Sequence, residues 1–231
     1  DDPAPATVRA LAQFEAILVG GQALAPALAE RAAAAGARIV RTYGSSETAG
    51  GCVYDGVPLA GVGVRIVDGQ VELSGPTLAE GYLGDAALTA RVFTVDADGT
   101  RWYRTGDLGD VADGRLRITG RADNVIVSGG INVSLDRVER VVRTVPGFGD
   151  AVVVRVADPR WGQASVVVAA GSGVTGTDAT ARVRAAVAAE LGPFARPRAV
   201  LGVAEVPLLA SGKPDRAALR ALAEGAAGRS D

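Results

Sequence analysis

Apolar positions along this chain fall into short runs broken by Gly, Asp and Pro, and their spacing changes twice. Residues 15–20 (Glu-Ala-Ile-Leu-Val-Gly) form an apolar run closing on a Gly-Gly pair, the pattern of a buried strand ending in a turn. The alanine-rich stretch 25–36 finishes at Gly36, which predicts a helix with a glycine C-cap. Residues 37–42 (Ala-Arg-Ile-Val-Arg-Thr) predict a second strand. A strand–helix–strand unit of this kind delivers Tyr43 and its successors to a strand's C-terminal end, where open α/β sheets bind ligands. From about 57 to 120 the period shortens. Segments 62–67, 70–74, 102–104 and 115–119 read as strands between turns, a small antiparallel or barrel-like unit. Beyond Gly120, helices are predicted over 135–144, 179–191 and 216–223, with strands at 151–156 and 165–170; the helix 179–191 stops at Gly192-Pro193. The predicted fold class is α/β with α+β: residues 1–120 as one part (1–56 partial α/β, 57–120 β-rich), a polar junction at 121–124, and a small α+β domain over 125–231.

Composition narrows the chemistry. The 231 residues suit one large domain or two small ones, and 48% hydrophobic with 22% charged content is that of a globular protein. A formal net charge of −2 supplies no basic field for nucleic acid or an anionic membrane. Cys52 is the only cysteine, so no internal disulfide or thiolate cluster can form. The absence of His removes Ser-His-Asp catalysis and the usual zinc sites. Catalysis must then rest on Lys, Arg, carboxylates, hydroxyls and backbone amides. No apolar run is long enough to span a bilayer and no signal peptide is present, so a cytoplasmic location without membrane insertion is expected. The chain begins Asp-Asp-Pro and contains no Met, and is therefore expected to be a piece of a longer protein.

Four polar motifs stand in order: YGSSET at 43–48, YRTGDLG at 103–109, GRADNVIVSGG at 120–130 and PLLASGKPDR at 207–216. Taken singly each has a plain explanation: a strand-to-loop turn capped by Ser and Thr, a Thr-Gly-Asp hairpin turn, a surface Arg–Asp pair, a solvated lysine in a turn. The Gly-Lys pair does not make a phosphate-binding P-loop, because Pro214 stands where Ser or Thr is needed and Pro207 where the first Gly is needed. In fixed order, the four resemble the adenylate-forming superfamily of acyl-CoA synthetases, luciferases and peptide-synthetase adenylation domains. The resemblance runs from about Leu18 to Leu219. It implies the C-terminal part of that superfamily's large domain, with a β-barrel-like subunit, followed by its mobile C-terminal domain.

The resemblance also implies roles. Ser46 would contact the α-phosphate of ATP, Glu47 would hold Mg²⁺, and Tyr43 with Gly44 would border the adenine. Asp107 would accept both ribose hydroxyls, with Thr105 and Gly106 letting the backbone approach. Arg121 would reach the ribose or phosphate of the AMP moiety, and Asp123 would be the hinge. Ser128, Gly129 and Gly130 would form a loop leaving room for the pantetheine arm of coenzyme A. Lys213 would bridge the attacking carboxylate and the α-phosphate, easing their repulsion. Gly21, in the segment Val19-Gly20-Gly21-Gln22-Ala23-Leu24, would line the adenine and acyl pocket. Glu72-Leu73-Ser74-Gly75 and Gly81-Tyr82 resemble structural parts of the β-rich unit. Leu135 departs from the pattern, since Pro often stands there.

The stretch from Ser46 to Leu59 resembles the o-succinylbenzoate–CoA ligases of menaquinone biosynthesis, which places Gly50, Gly51 and Val53 on the acyl side. The implied partners are a small carboxylate, ATP and CoA; a homo-oligomer is left open. A glycine- and threonine-rich triphosphate loop is absent from the sequence, so the chain alone is expected to be inactive. Two alternatives stay open: an adenylation domain that loads a carrier protein, and a folded but inert module.

Overall fold

The computed structural model describes residues 5–21, 24, 26–171, 173, 174 and 176–227. Gln22 and Ala23 of the Gly-Gly segment, and Ala25 at the head of the predicted helix, lie outside them. The chain divides into two compact units, Asp1–Ala122 and Asp123–Asp231.

In the first unit, α1 (Pro5–Ala12) precedes β1 (Ile17–Val19), α2 (Pro26–Ala34) and β2 (Ile39–Ser45). β1 and β2 pair in parallel, as the helical crossover between them requires. β3 (Gly50–Tyr54) and β4 (Val57–Pro58) extend this sheet antiparallel, in the order β1-β2-β3-β4.

A second sheet follows, built from β5 (Gly63–Val67), β6 (Gln70–Ser74), β7 (Phe93–Val95), β8 (Arg101–Ala112) and β9 (Arg115–Arg121), with α3 (Ala86–Val92) leading into β7. Its pairings are all antiparallel in the order β5-β6-β8-β7, and β9 also pairs with β8. β8 corrects the sequence reading. It runs for 12 residues, not the three of 102–104, because the supposed Thr-Gly-Asp turn is a bulge inside the strand. Gly106 makes the bend at φ +72°. The Thr105 hydroxyl donates to the Val71 carbonyl at 2.8 Å and accepts the Asp107 N–H at 3.0 Å, replacing ladder bonds that the bulge gives up. Glu72, only 3% exposed, is accommodated because Arg65 (2.6 Å) and Arg104 (3.1 Å) flank its carboxylate.

The second unit opens with a hairpin, β10 (Val125–Ser128) and β11 (Ile131–Ser134), then α4 (Leu135–Val142), β12 (Val152–Asp158), β13 (Gly162–Ala170), α5 (Thr177–Leu191), β14 (Ala199–Val203) and α6 (Arg216–Ala227). The sheet order is β11-β10-β13-β12, and β14 lies parallel to β13. Both sheet faces are covered. Val153 and Val167 belong to the core that includes Leu135, Val138, Val142, Val183 and Val187 of α4 and α5. Their neighbours Val152, Val154, Val166 and Val168 pack instead with Leu219 and Ala223 of α6. Two buried faces explain why 152–154 reads as a continuous valine run and not as an alternation. Each fully buried valine contributes about 1.5–3 kcal/mol, so the central strands anchor this unit. Leu135 is 1% exposed at the first position of α4, where it fills the core that a proline would leave unfilled. Among the described residues no helix is long and apolar enough to cross a membrane.

Candidate functional site

In the first unit the β-bulge of β8 aims Asp107 at Tyr43 of β2. The Tyr43 hydroxyl donates to Asp107 Oδ2 at 2.6 Å, and Arg121 Nη1 lies 3.2 Å from Oδ1. Arg121 also donates to the Thr105 carbonyl at 3.3 Å. Burial, then the Asp107 carboxylate, hold the Tyr43 hydroxyl far above its ordinary pKa, so it remains a donor at all working pH values. Three residues distant in sequence thus converge: Tyr43, Asp107 and Arg121. The result is an oriented carboxylate, suited to accepting hydrogen bonds from a diol.

Beyond β2 the chain makes a 3₁₀ turn, Ser46–Thr48. Ser46 is exposed, Glu47 half-buried and Thr48 buried. The Thr48 hydroxyl accepts the Ser45 N–H (2.8 Å) and donates to the Gly50 carbonyl (2.7 Å), which locks the turn against β3. Tyr82 donates to Glu47 Oε1 at 2.8 Å. Burial pushes the Glu47 carboxyl up, but donation from Tyr82, Ser45, its own backbone and Tyr103 outweighs that and leaves it below the ordinary 4.5. Tyr82 in turn is pushed up to about 12 by burial and by Glu47. A depressed carboxyl contributes stability above its unfolded pKa and loses it as the pH falls through the folded value. Glu47→Gln should therefore melt below the parent at pH 7, and the gap should close as pH drops beneath 4.5. A gap constant with pH, followed by calorimetry, would refute this account.

Glu47 offers Mg²⁺ one ionised hard-oxygen ligand, and no group of three His, Cys, Asp or Glu among the described residues could hold a cation by itself. That fits a metal that keeps most of its waters and arrives with phosphates. Gly44 pairs with Gly51, and Ser45 with Gly50, across β2 and β3. Gly50 and Gly51 are exposed, but Val53 is 1% exposed in a core with Cys52, Val71, Leu73 and Tyr103. Val53, assigned to the acyl side from sequence, is a packing residue because both it and Cys52 face covered surfaces. Gly21 follows β1 in an exposed bend, with no described contact to the Asp107 cluster.

Asp123 lies in a 3₁₀ turn, Ala122–Asn124, and begins the second unit. The segment 127–130, expected as a loop, is the tip of the β10–β11 hairpin, with Ser128 facing Ile131 across Gly129-Gly130. Positive φ at both glycines, +57° and +82°, is the hairpin geometry that matches strand twist. The signal was present: Val-Ile-Val-Ser and Ile-Asn-Val-Ser flank a Gly-Gly pair. The Gly129 N–H donates to the Trp161 carbonyl at 3.0 Å, and the Trp161 ring covers the Gly129 α-carbon. Beside this tip is a cavity of about 380 Å³ whose lining includes Ser128, Trp161, Phe194, Arg184, Arg196 and Arg198. Phe194 is 61% exposed and open to a ligand, whereas Trp161, 44% exposed, carries the Arg160 guanidinium over its ring at 4.7 Å from the centroid.

Lys213 is exposed in the turn between β14 and α6 and is the sole lysine among 24 basic residues. Sequence reasoning overlooked Tyr82 and Tyr103 as polar partners. They sit on an aromatic cluster with Phe93 (5.4 Å from Tyr103, 6.0 Å from Tyr82), so each looks like core until its hydroxyl is followed to Glu47 or Ser45. Trp161, Phe194 and the three arginines were also missed, being scattered between 161 and 198 without a motif.

Residues 137–213 match the model of the AMP-binding enzyme C-terminal domain. The chain is 41% identical over 222 residues to a probable 2-succinylbenzoate–CoA ligase of Mycobacterium tuberculosis, covering 93% of this chain and 56% of that protein. Among solved structures, a variant of Escherichia coli MenE with bound OSB-AMS is similar with a TM-score of 0.76 at 30% identity, over 95% of this chain and 50% of that one. The amide bond synthetase McbA of Marinactinospora thermotolerans is equally similar, with a TM-score of 0.76 at 30% identity, over 95% and 51%. The chain spans about half the length of the curated relatives it matches. Ordered motifs and these likenesses agree: residues 137–213 match the AMP-binding enzyme C-terminal domain, and the chain as a whole is similar to the later part of adenylate-forming ligases.

Proposed function

We propose that the full-length protein is an ATP-dependent carboxylate–CoA ligase working through an acyl-adenylate, with 2-succinylbenzoate as the acid. The observation that carries the reading is the Asp107 carboxylate fixed between Tyr43 and Arg121, a ready acceptor for the ribose diol of ATP. In the first step a carboxylate oxygen of the acid attacks the α-phosphorus and the bond to pyrophosphate breaks. Ser46 would contact the phosphates and Glu47 would hold Mg²⁺, which when bound would neutralise phosphate charge, with Gly44 and Gly21 bordering the nucleotide and Gly50 and Gly51 the acid. Lys213 offsets the charge that gathers as two anions meet. In the second step the CoA sulfur attacks the acyl carbon, AMP leaves, and the thiol proton goes to solvent. The two steps call on different parts of the second unit, the Lys213 turn and the Gly129 hairpin, and Asp123 is the pivot between them.

The choice of CoA over an amine or a carrier protein is supported by the cavity beside Ser128. The exposed Phe194 ring and the guanidinium groups of Arg184 and Arg196 suit a purine with phosphates, which neither alternative acceptor brings; the third, Arg198, is paired with Asp158 at 3.6 Å. The acid is supported by the 41% identity to a probable 2-succinylbenzoate–CoA ligase. The decisive experiment supplies ATP, 2-succinylbenzoate and either CoA, pantetheine or a simple amine to the full-length protein. Acylated CoA is expected; an amide as the main product would replace this reading with that of an amide synthetase. Asp107→Asn should raise the KM for ATP about 10–100-fold, since each hydrogen bond to a charged group contributes about 1.5–3 kcal/mol. An unchanged KM for ATP would remove Asp107 from the nucleotide site.

A further inference from the structure

Lys213 stands in an exposed turn, and its side chain is long and flexible, so accuracy at the ammonium must come from where the backbone is held. On the near side, Leu208 bridges Pro214, the Leu209 N–H donates to the Lys213 carbonyl (2.8 Å) and the Gly212 N–H to the Leu209 carbonyl (2.8 Å). On the far side the chain runs directly into α6, whose first residue is Arg216. Arg216 Nη2 meets Glu139 Oε2 at 2.8 Å and Nη1 meets the Val153 carbonyl at 2.9 Å. Glu139 of α4 is 7% exposed; it also accepts the Val153 N–H at 2.9 Å and pairs with Arg143 at 2.8 Å. Asp215, between Lys213 and Arg216, donates its N–H to the Pro207 carbonyl (2.9 Å) and caps α6 by accepting from Ala217 (3.1 Å) and Ala218 (3.0 Å).

The apolar seat of α6, through Leu219 and Ala223, is non-directional and does not by itself fix the orientation of the helix. Arg216 adds a forked, directional contact to a carboxylate and a carbonyl held by α4 and β12. The Arg216 side chain is 42% exposed, and ion pairs with one partner open to solvent gain little net stability, so a pair at the root of this turn is better explained by placement than by stability. We propose that Arg216, gripped by Glu139, is the positioning residue for Lys213: it sets where α6 begins and so where the lysine turn is presented. This rests on the reading that Lys213 serves adenylation.

The test uses the full-length protein, with acyl-adenylate formation and thioester formation from supplied acyl-adenylate measured separately. Arg216→Ala should lower kcat of the first step at least about tenfold, the scale of a small misplacement, with little change in the KM for ATP and no change in the second step. Arg216→Lys should recover part of the loss, and Glu139→Gln should show a smaller loss in the same step. Arg143→Ala, which removes a Glu139 partner and a bond to the Ala151 carbonyl without touching α6, should cost stability but leave the ratio of the two steps unchanged. Equal loss in both steps, an equal effect of Arg143→Ala, or undiminished adenylation in Arg216→Ala would overturn the proposal. Should Arg216→Ala not fold, Arg216→Lys and Glu139→Gln still decide it by the same split between steps. A parent protein that forms no acyl-adenylate, or in which Lys213→Ala forms it normally, would instead refute the underlying function and the proposal with it.

Discussion

Replacing Lys213 with alanine in the full-length protein is expected to slow acyl-adenylate formation about 10²–10³-fold, the usual cost of removing one oriented donor from a charge-developing site. Thioester formation from supplied acyl-adenylate should stay within about threefold, because the repulsion between two anions belongs to the first step alone. The composition sharpens this expectation. Arginine fills 23 of the 24 basic positions, as the sequence contains one lysine only, so the ammonium is confined to this turn. A compact point charge on a flexible stem can settle between two oxygens on different molecules, whereas the larger planar guanidinium presents its donors in a fixed fork. Lys213→Arg should accordingly restore little. Equal losses in both half-reactions would sink the assignment of Lys213 to adenylation.

The second large effect is expected at the hairpin tip. A Cβ added to Gly129 would lie 2.7 Å from Trp161 Cε3 and 3.0 Å from Cζ3, at a backbone φ of +57°. Gly129→Val adds branching to a left-handed backbone position and a clash with the ring, so the tip or Trp161 must move. Both border the cavity assigned to CoA. Thioester formation should fall about 100-fold, the scale of a misplacement near 1 Å, while adenylation is spared. Gly130→Ala is the control. Its φ is +82° but nothing lies within 4 Å of its Cβ, so it bears only left-handed strain of about 1–2 kcal/mol and should be much milder. Equal damage by both substitutions would mean that strain in the turn, and not the Trp161 contact, governs the second step.

Most helices and strands with strong periodicity were readable in advance. Residues 70–74 were predicted with the bounds of β6, and 179–191 lies within α5. Where the reading failed, local punctuation conflicted with tertiary context. Thr-Gly-Asp looks like a turn, yet the bulge of β8 carries it inside a strand because the Thr105 hydroxyl can bond both Val71 and Asp107. β14 was missed; Ala-Val-Leu-Gly-Val is short and interrupted by Gly202, and it becomes a strand by pairing with β13.

The sequence by itself determined the likeness to the adenylate-forming enzymes and the order of the motifs, to which we assign a carboxylate for the nucleotide sugar, a carboxylate for the metal, a glycine pair and a lysine. These are local strings whose residue types follow from the reaction. Only the tertiary structure decided which groups those residues meet. Tyr43 and Asp107 are 64 positions apart and share one hydrogen bond; Glu139 and Arg216 are 77 apart and share another. Val53, chosen by its position in a string, faces the core instead. Contacts between side chains depend on sheet register, the bulge and the packing of α6, and those are set by long-range burial that no local pattern records.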